Sequence, residues 1–300
     1  MYMKNKWASL GATAAAVAAT LGLTAPASSA VSTDSASASQ PAGKSSNPSP
    51  ERPRIISPIV GGSQVPNDAY PFMAALLNKQ TPGGALKKQF CAGTLYQPDV
   101  ILTAAHCVAH LEPEDVRVAV GRTVLSDSKQ GQVRQAVSFQ VHPSYDQEEI
   151  STRPGYDMAL IELDKPVKGI TTVQLPTPGT DALIRPGAQA VAAGWGMTDD
   201  ILEHSPDRLR QVTIPILSQA ECKTSYGSDQ FNAKTDICAG SMGKASCSGD
   251  SGGPLLRKVP GREEPIQIGI VSRGGEECAS QGTPGIYTSL SSKKLWDSFV

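Results

Sequence analysis

The sequence predicts an all-β protein, and three observations carry that expectation. Short apolar runs recur along the chain with turn signals between them. The 28 Gly and 23 Pro residues punctuate it too often for a coiled coil or helical bundle. No helical pattern alternates with the apolar runs, as a parallel α/β sheet would require.

The runs come in order from the middle of the chain onward. FMAALL at 72–77, VILTAA at 100–105, VRVAV at 116–120 and MALIEL at 158–163 form a first set. AVAAGW at 190–195, VTIPIL at 212–217 and IQIGIV at 266–271 form a second. Many are too short for helices, and their β-branched residues and Gly/Pro boundaries read as strands. The Gly/Pro/Thr-rich stretch 169–187 marks a break between two halves. One short helix is expected at Lys293 to Phe299, where Leu295, Trp296 and Phe299 are apolar. Pattern alone leaves sandwich and barrel topologies open.

Composition narrows the function classes. At 39% hydrophobic and 18% charged, the chain has enough apolar content for a packed core. Residues 1–58 contain five basic side chains (Lys4, Lys6, Lys44, Arg52, Arg54) and two acidic ones (Asp34, Glu51). The overall charge of −1 therefore becomes −4 from Ile59 on, which argues against nucleic acid or an anionic membrane surface as partner.

Residues 1–30 read as a secretory signal peptide. Lys4 and Lys6 precede a mildly apolar segment at 8–23, and Ser28-Ser29-Ala30 offers a cleavage site, with Ala25-Pro26-Ala27 a second candidate. An uncleaved anchor is the rival reading, and the segment is short and weakly hydrophobic for that role. Residues 31–58, dominated by Ser, Ala and Pro, read as a pro-segment or linker. The remaining 59–300 is the folded domain. Secretion into an oxidising compartment agrees with six cysteines, all after residue 90.

Three segments carry chemistry: Thr103-Ala104-Ala105-His106-Cys107, Tyr156-Asp157-Met158-Ala159-Leu160, and Cys247-Ser248-Gly249-Asp250-Ser251-Gly252-Gly253-Pro254. Each ends or interrupts an apolar run, a place from which a polar side chain can reach a barrel rim. A serine hydroxyl is a weak nucleophile at neutral pH and needs a base within hydrogen-bond reach, itself oriented by a third group. Ser251, His106 and Asp157 can fill those roles, and the N–H groups of Gly249 and Ser251 can face a developing oxyanion.

These segments resemble the chymotrypsin/trypsin family of serine endopeptidases. The resemblance runs from Ile59-Val60-Gly61-Gly62 through Gly285-Ile286-Tyr287-Thr288. The GDSGGP run at 249–254 is its most specific part. It implies two antiparallel six-stranded β-barrels with the active site between them. It implies a secreted zymogen acting on protein or peptide substrates through the His106–Asp157–Ser251 triad. Proteinaceous inhibitors fit as partners; nucleic acid and, after signal removal, membrane do not; no cofactor is expected, and a monomer is. It pairs Cys91 with Cys107, Cys222 with Cys238, and Cys247 with Cys278. Ile59 becomes the new N-terminus on activation, its ammonium pairing with Asp250.

The departures from the family are informative. Pro58 precedes Ile59, where tryptic activation needs Lys or Arg. A cut after Arg54 leaves Ile55-Ile56-Ser57-Pro58 in front, so either another protease cuts after Pro58 or trimming follows. Ala245 stands six residues before the serine, where trypsin has the Asp that binds Lys or Arg. With Ser246, Ser272, Gly274 and Gly285 around it, the pocket reads as open and uncharged, suited to bulky apolar or aromatic side chains. Glu276 or Glu277 reaching a basic substrate is the rival. Arg273 replaces the family's usual Trp beside the pocket, and a surface pairing with Glu276 or Glu277 is its plain explanation.

The other candidates are weak. His106 and His110 have a helical metal spacing but no Glu beside the first His. The stretch 122–131, where the family binds calcium, has only Asp127 for a carboxylate. His142 and His204 read as solvated surface residues. Two rival functions stay open: an inactive family member that works by binding, and an α/β-hydrolase esterase, which needs a histidine after the serine that this chain lacks.

Overall fold

The structure is a computed structural model, and it describes residues 62–146, 154–198, 205–275, 278, 283–297 and 299. Ile59, His204, Glu276, Glu277, the signal peptide and the pro-segment lie outside the described residues.

Thirteen strands are described. The first six-stranded set is β2 (Met73–Asn78), β3 (Gln89–Gln97), β4 (Val100–Thr103), β5 (Val116–Val120), β6 (Gln132–Val141) and β7 (Ala159–Leu163). They close into an antiparallel barrel in the order β2-β3-β4-β7-β6-β5. Closure leaves no edge strand with unpaired backbone groups. Alternate side chains fill the interior, with Leu76, Leu95, Ile101 and Ile161 fully buried. Between β2 and β3 lies a single helical turn, α1 (Ala85–Lys88).

The second set is β1 (Ser63–Gln64), β8 (Gln189–Gly194), β9 (Arg210–Pro215), β10 (Asp236–Ala239), β11 (Pro254–Arg257), β12 (Ile266–Arg273) and β13 (Gly285–Ser289). Their order is β1-β9-β8-β11-β12-β13-β10. Here the structure corrects the expected second six-stranded barrel: the sheet has seven strands and its ladder does not close. Its ends do approach, through an isolated bridge between Ile216 and Ala239 and a bond from Leu217 N–H to Cys238 O of 2.9 Å. Pro215 ends β9 at that seam and has no N–H to extend a ladder there.

The passage from barrel to sheet runs through residues 164–188. Between the two sets, Thr94 donates to Gln267 Oε1 at 2.7 Å in a fully buried contact. The short terminal helix is present as α3 (Lys293–Asp297). A longer helix, α2 (Gln219–Gln230), was not foreseen in the sequence; it is interrupted at Gly227, where φ is 71°. All three cysteine pairs form as the resemblance implied, with Cα separations of 6.2, 6.0 and 5.4 Å.

Candidate active site

Strand register brings the first two residues together. Thr103, the last residue of β4, pairs with Ala159, the first of β7. The chain leaving β4 and the chain entering β7 therefore share one barrel end. His106 sits there in a 3-10 turn (Ala105–Cys107), and Cys107 is tied to Cys91 of β3. Asp157 enters from Gly155 and Tyr156, both at positive φ (110° and 58°). A Cβ on Gly155 would lie 2.2 Å from Thr235 Oγ1, so the approach needs glycine.

Asp157 is 2% exposed, and each of its oxygens is engaged. Oδ1 accepts from the His106 backbone N–H at 2.9 Å. Oδ2 accepts from the His106 ring at Nδ1 (2.8 Å) and from the Ser272 hydroxyl (2.6 Å). Its backbone oxygen accepts from Thr288 Oγ1 at 2.9 Å. With Nδ1 donating to a carboxylate, the neutral ring leaves Nε2 as the acceptor. Burial pulls the imidazole pKa down, but the charge and hydrogen bond of Asp157 outweigh it, so the net direction is up. Burial likewise pushes Asp157 up, and contacts led by His106 more than reverse this.

Ser251 lies on a glycine-rich turn docked against the same barrel end. Its carbonyl accepts from Ala92 N–H at 2.7 Å. Gly252, at φ 79°, fits so closely that a Cβ would come within 2.2 Å of Thr103 Oγ1 and 2.3 Å of Ala92 O. Only glycine lets this turn reach the end of β4, two residues before the turn that carries His106. Among the described residues, neither Gly249 nor Ser251 gives its N–H to a protein acceptor. Gln89 donates from Nε2 to Gly249 O at 2.8 Å and so holds that peptide. Nothing in the sequence marks Gln89, because its partner is 160 residues away.

Asp250 is buried, and its carboxylate accepts from Gly196 N–H (2.7 Å) and Cys247 N–H (2.9 Å). Burial holds this carboxyl up at about 6, with those two N–H groups acting against it. No side-chain cation among the described residues pairs with it.

Ser251 shares one cavity of about 190 Å³ with Ala245, Ser246, Ser272, Gly274 and Gly285. All the expected pocket residues thus line a single space; no carboxylate among the described residues lines it, but Arg273 does, so its wall is not uncharged as the sequence suggested. Ala245 is buried, and Ser246 Oγ lies 3.1 Å from Tyr287 Oη. A larger cavity of about 560 Å³, near Phe231 and Ser291, shares no residue with this site. The site is therefore picked out by chemistry and not by size.

One expectation needs correction. His142 is not a solvated surface residue: it is 1% exposed, packed between Tyr156 and Phe299, with Nε2 2.9 Å from Leu295 O. Arg273 has partners among the described residues, while Glu276 and Glu277 lie outside them. It pairs with the buried carboxylate of Asp236 and donates to Gln230 O (2.9 Å) and Ser272 Oγ (3.1 Å).

Among the described residues, the metal readings gain no donor set. His106 lies in a 3-10 turn, where helical i, i+4 spacing does not hold, and His110 is exposed. The Cys91–His106–Cys107 cluster has both sulfurs in a disulfide. In the 122–131 loop the Arg122 guanidinium donates to Leu125 O and Gln130 O, which brings a positive charge into the loop.

A carboxylate-held imidazole and a serine on a tight turn, beside a small cavity at the junction of a β-barrel and a curled β-sheet, define a hydrolase of the serine type. The comparisons narrow this class to one family. The family described as Trypsin matches residues 59–296. A trypsin of Saccharopolyspora erythraea is 36% identical over 77% of this chain and 93% of its own length. Hypodermin-B of Hypoderma lineatum is 33% identical over 81% and 88%, and glucanase inhibitor protein 2 of Phytophthora sojae is 30% identical over 79% and 77%. The chain belongs to the trypsin family and is a serine endopeptidase.

Proposed function

We propose that Ser251 is the nucleophile, His106 the general base and Asp157 its orienting carboxylate, in a secreted endopeptidase that cuts after bulky apolar or aromatic residues. The observation that carries the triad is the buried Asp157 carboxylate holding Nδ1 of His106 at 2.8 Å. That bond keeps Nε2 as acceptor, the atom that must take the Ser251 proton.

In this reading Ser251 Oγ attacks the scissile carbonyl carbon while Nε2 takes the hydroxyl proton. The oxyanion is held by the N–H groups of Gly249 and Ser251, each such donor contributing roughly 3 kcal/mol to transition-state stabilisation. Collapse breaks the C–N bond, Nε2 returns the proton to the leaving amine, and an acyl-Ser251 ester remains. A water then repeats the sequence and releases the acid. The side chain preceding the cut enters the slot based on Ala245.

Secretion rests on the signal-like residues 1–30 and on three disulfides. Activation rests on Ile59 as the freed terminus and on Asp250 as a buried carboxylate without a cationic partner among the described residues.

Cleavage-site profiling on a mixed peptide library, with protein processed to begin at Ile59, tests this reading. Cuts after Phe, Tyr, Leu or Met are expected, and Ser251→Ala abolishes them while leaving the fold intact. Cuts after Lys or Arg assign a negative charge to Glu276 or Glu277 and overturn the apolar preference. Turnover by Ser251→Ala overturns the nucleophile.

A further inference from the structure

A polar chain reaches Asp157 through Ser272, independently of His106. Asp236 of β10 is 3% exposed and pairs with the guanidinium of Arg273, the last residue of β12. Arg273 donates from its terminal nitrogens to Gln230 O at 2.9 Å and Ser272 Oγ at 3.1 Å. Ser272 Oγ in turn donates to Asp157 Oδ2 at 2.6 Å. That oxygen is the one that receives His106 Nδ1.

The order of donors fixes the direction of the chain. A hydroxyl has one proton. An arginine has only donors, so its bond to Ser272 Oγ occupies a lone pair on that oxygen. The single Ser272 proton is then committed to Asp157. A cation on the far side of that hydroxyl also strengthens its donation.

We propose that Arg273, held by Asp236, is a positioning residue for the reaction: it orients the Ser272 hydroxyl onto Asp157 and brings a positive charge to bear on the His106–Asp157 pair. This rests on the triad reading above and adds to it a second layer built by this chain's departure from tryptophan at 273. The charge draws electron density from Asp157 and opposes the imidazolium. His106 then stays unprotonated, and able to act as base, to lower pH than the Asp157 contact alone allows. The electrostatics agree in direction: after burial and the two Asp157 effects, Arg273 is the remaining influence on His106, and it acts downward.

Two further titratable groups among the described residues feel the Asp157 charge: Asp236 on β10, and Tyr145 in the loop after β6, whose phenol is pushed up by burial first and Asp157 second. Asp236 is itself pushed up by burial, with Arg273 opposing this. Removing one member of this ion pair leaves the other buried and alone.

The pH dependence of kcat/KM gives a readout that a purely structural role would not move in this pattern. Arg273→Gln raises the acid limb by roughly half a pH unit, the size expected of a charge acting through an intervening hydroxyl. Asp236→Asn, which leaves the cation unneutralised, moves it the other way. If Arg273→Gln fails to fold, Arg273→Gln/Asp236→Asn removes both charges, and a smaller rise remains because the cation is the member that touches Ser272. Acid limbs that coincide with wild type in all these variants overturn the proposal. An NMR titration of His106 in the Ser251→Ala background separates the two readings. A higher His106 pKa on adding Arg273→Gln supports the Arg273 role without any activity, and an unchanged value refutes it. Turnover by Ser251→Ala itself would sink the triad reading alone.

Discussion

His142 shows how far one side chain's environment can depart from its sequence context. The residue sits in a polar stretch, His142-Pro143-Ser144-Tyr145, and reads as a surface histidine. In the fold, Ser144 N–H donates to its Nδ1 at 3.0 Å, which leaves Nε2 protonated and donating to Leu295 O. Both nitrogens are committed to the neutral form, and burial lowers the pKa. The folded state therefore binds fewer protons than the unfolded one once pH falls below about 6.5. His142 stabilises the protein above that pH, and its contribution is lost as pH falls toward the depressed folded value. His106 and Asp250, both shifted upward, act with the opposite sign over neighbouring ranges. The difference between wild type and His142→Gln isolates the effect. Urea unfolding from pH 7.5 to 5 should show the wild type losing stability relative to the variant, by at most about 1.4 kcal/mol per pH unit. Parallel curves would mean that His142 titrates alike in the folded and unfolded states, and that its burial does not hold it neutral.

At the scale of elements, legibility followed burial pattern. The run VRVAV at 116–120 is β5 to the residue, because three consecutive buried positions leave an apolar signature. β6 has no such signature: its ten residues are mostly polar or half-exposed, and Val133 and Val137 face outward. Pairing with β5 on one side and β7 on the other makes it a strand. α2 had a local signal that pattern reading passed over. Ser218 accepts from Glu221 N–H at 3.2 Å and Glu221 Oε2 accepts from Ser218 N–H at 2.7 Å, a reciprocal capping box spelled Ser-x-x-Glu. Ser218→Ala should cost about 1 kcal/mol in thermal or urea unfolding, as for other lost N-caps. The Cys222–Cys238 bridge ties the helix to β10, so the loss should not detach it. No change in stability would mean that the disulfide, not the cap, fixes the start of the helix.

The whole molecule decides what Asp250 does. Ionised, it is a buried anion among N–H donors. Its raised pKa means that it favours the fold below 3.8 and loses that contribution as pH rises through about 6. At neutral pH a cation entering the body would reverse the loss, and the Ile59 ammonium is the proposed one. Chains prepared to begin at Ile55 and at Ile59 should differ sharply in kcat, the longer one being nearly inactive. The active chain should lose activity as pH climbs beyond about 8, where a free α-amino group deprotonates. Equal activity of the two chains would reject Ile59 as the organising terminus.

The sequence by itself determined the strand-rich class, the family and the residues to propose for the chemistry, because periodicity, turn residues and GDSGGP are local and need no partner to be read. The pairing of cysteines came with the family. Tertiary structure alone decided which neighbours those residues have. The Thr103–Ala159 register sets His106 against Asp157, and 51 residues of chain separate the two. Arg273 meets Asp236 across 37 residues, and Gln89 meets Gly249 across 160. Such contacts follow from closing one sheet and curling another against it. No short window of sequence contains both partners, and so none could show that the arginine beside the pocket pairs with a buried aspartate.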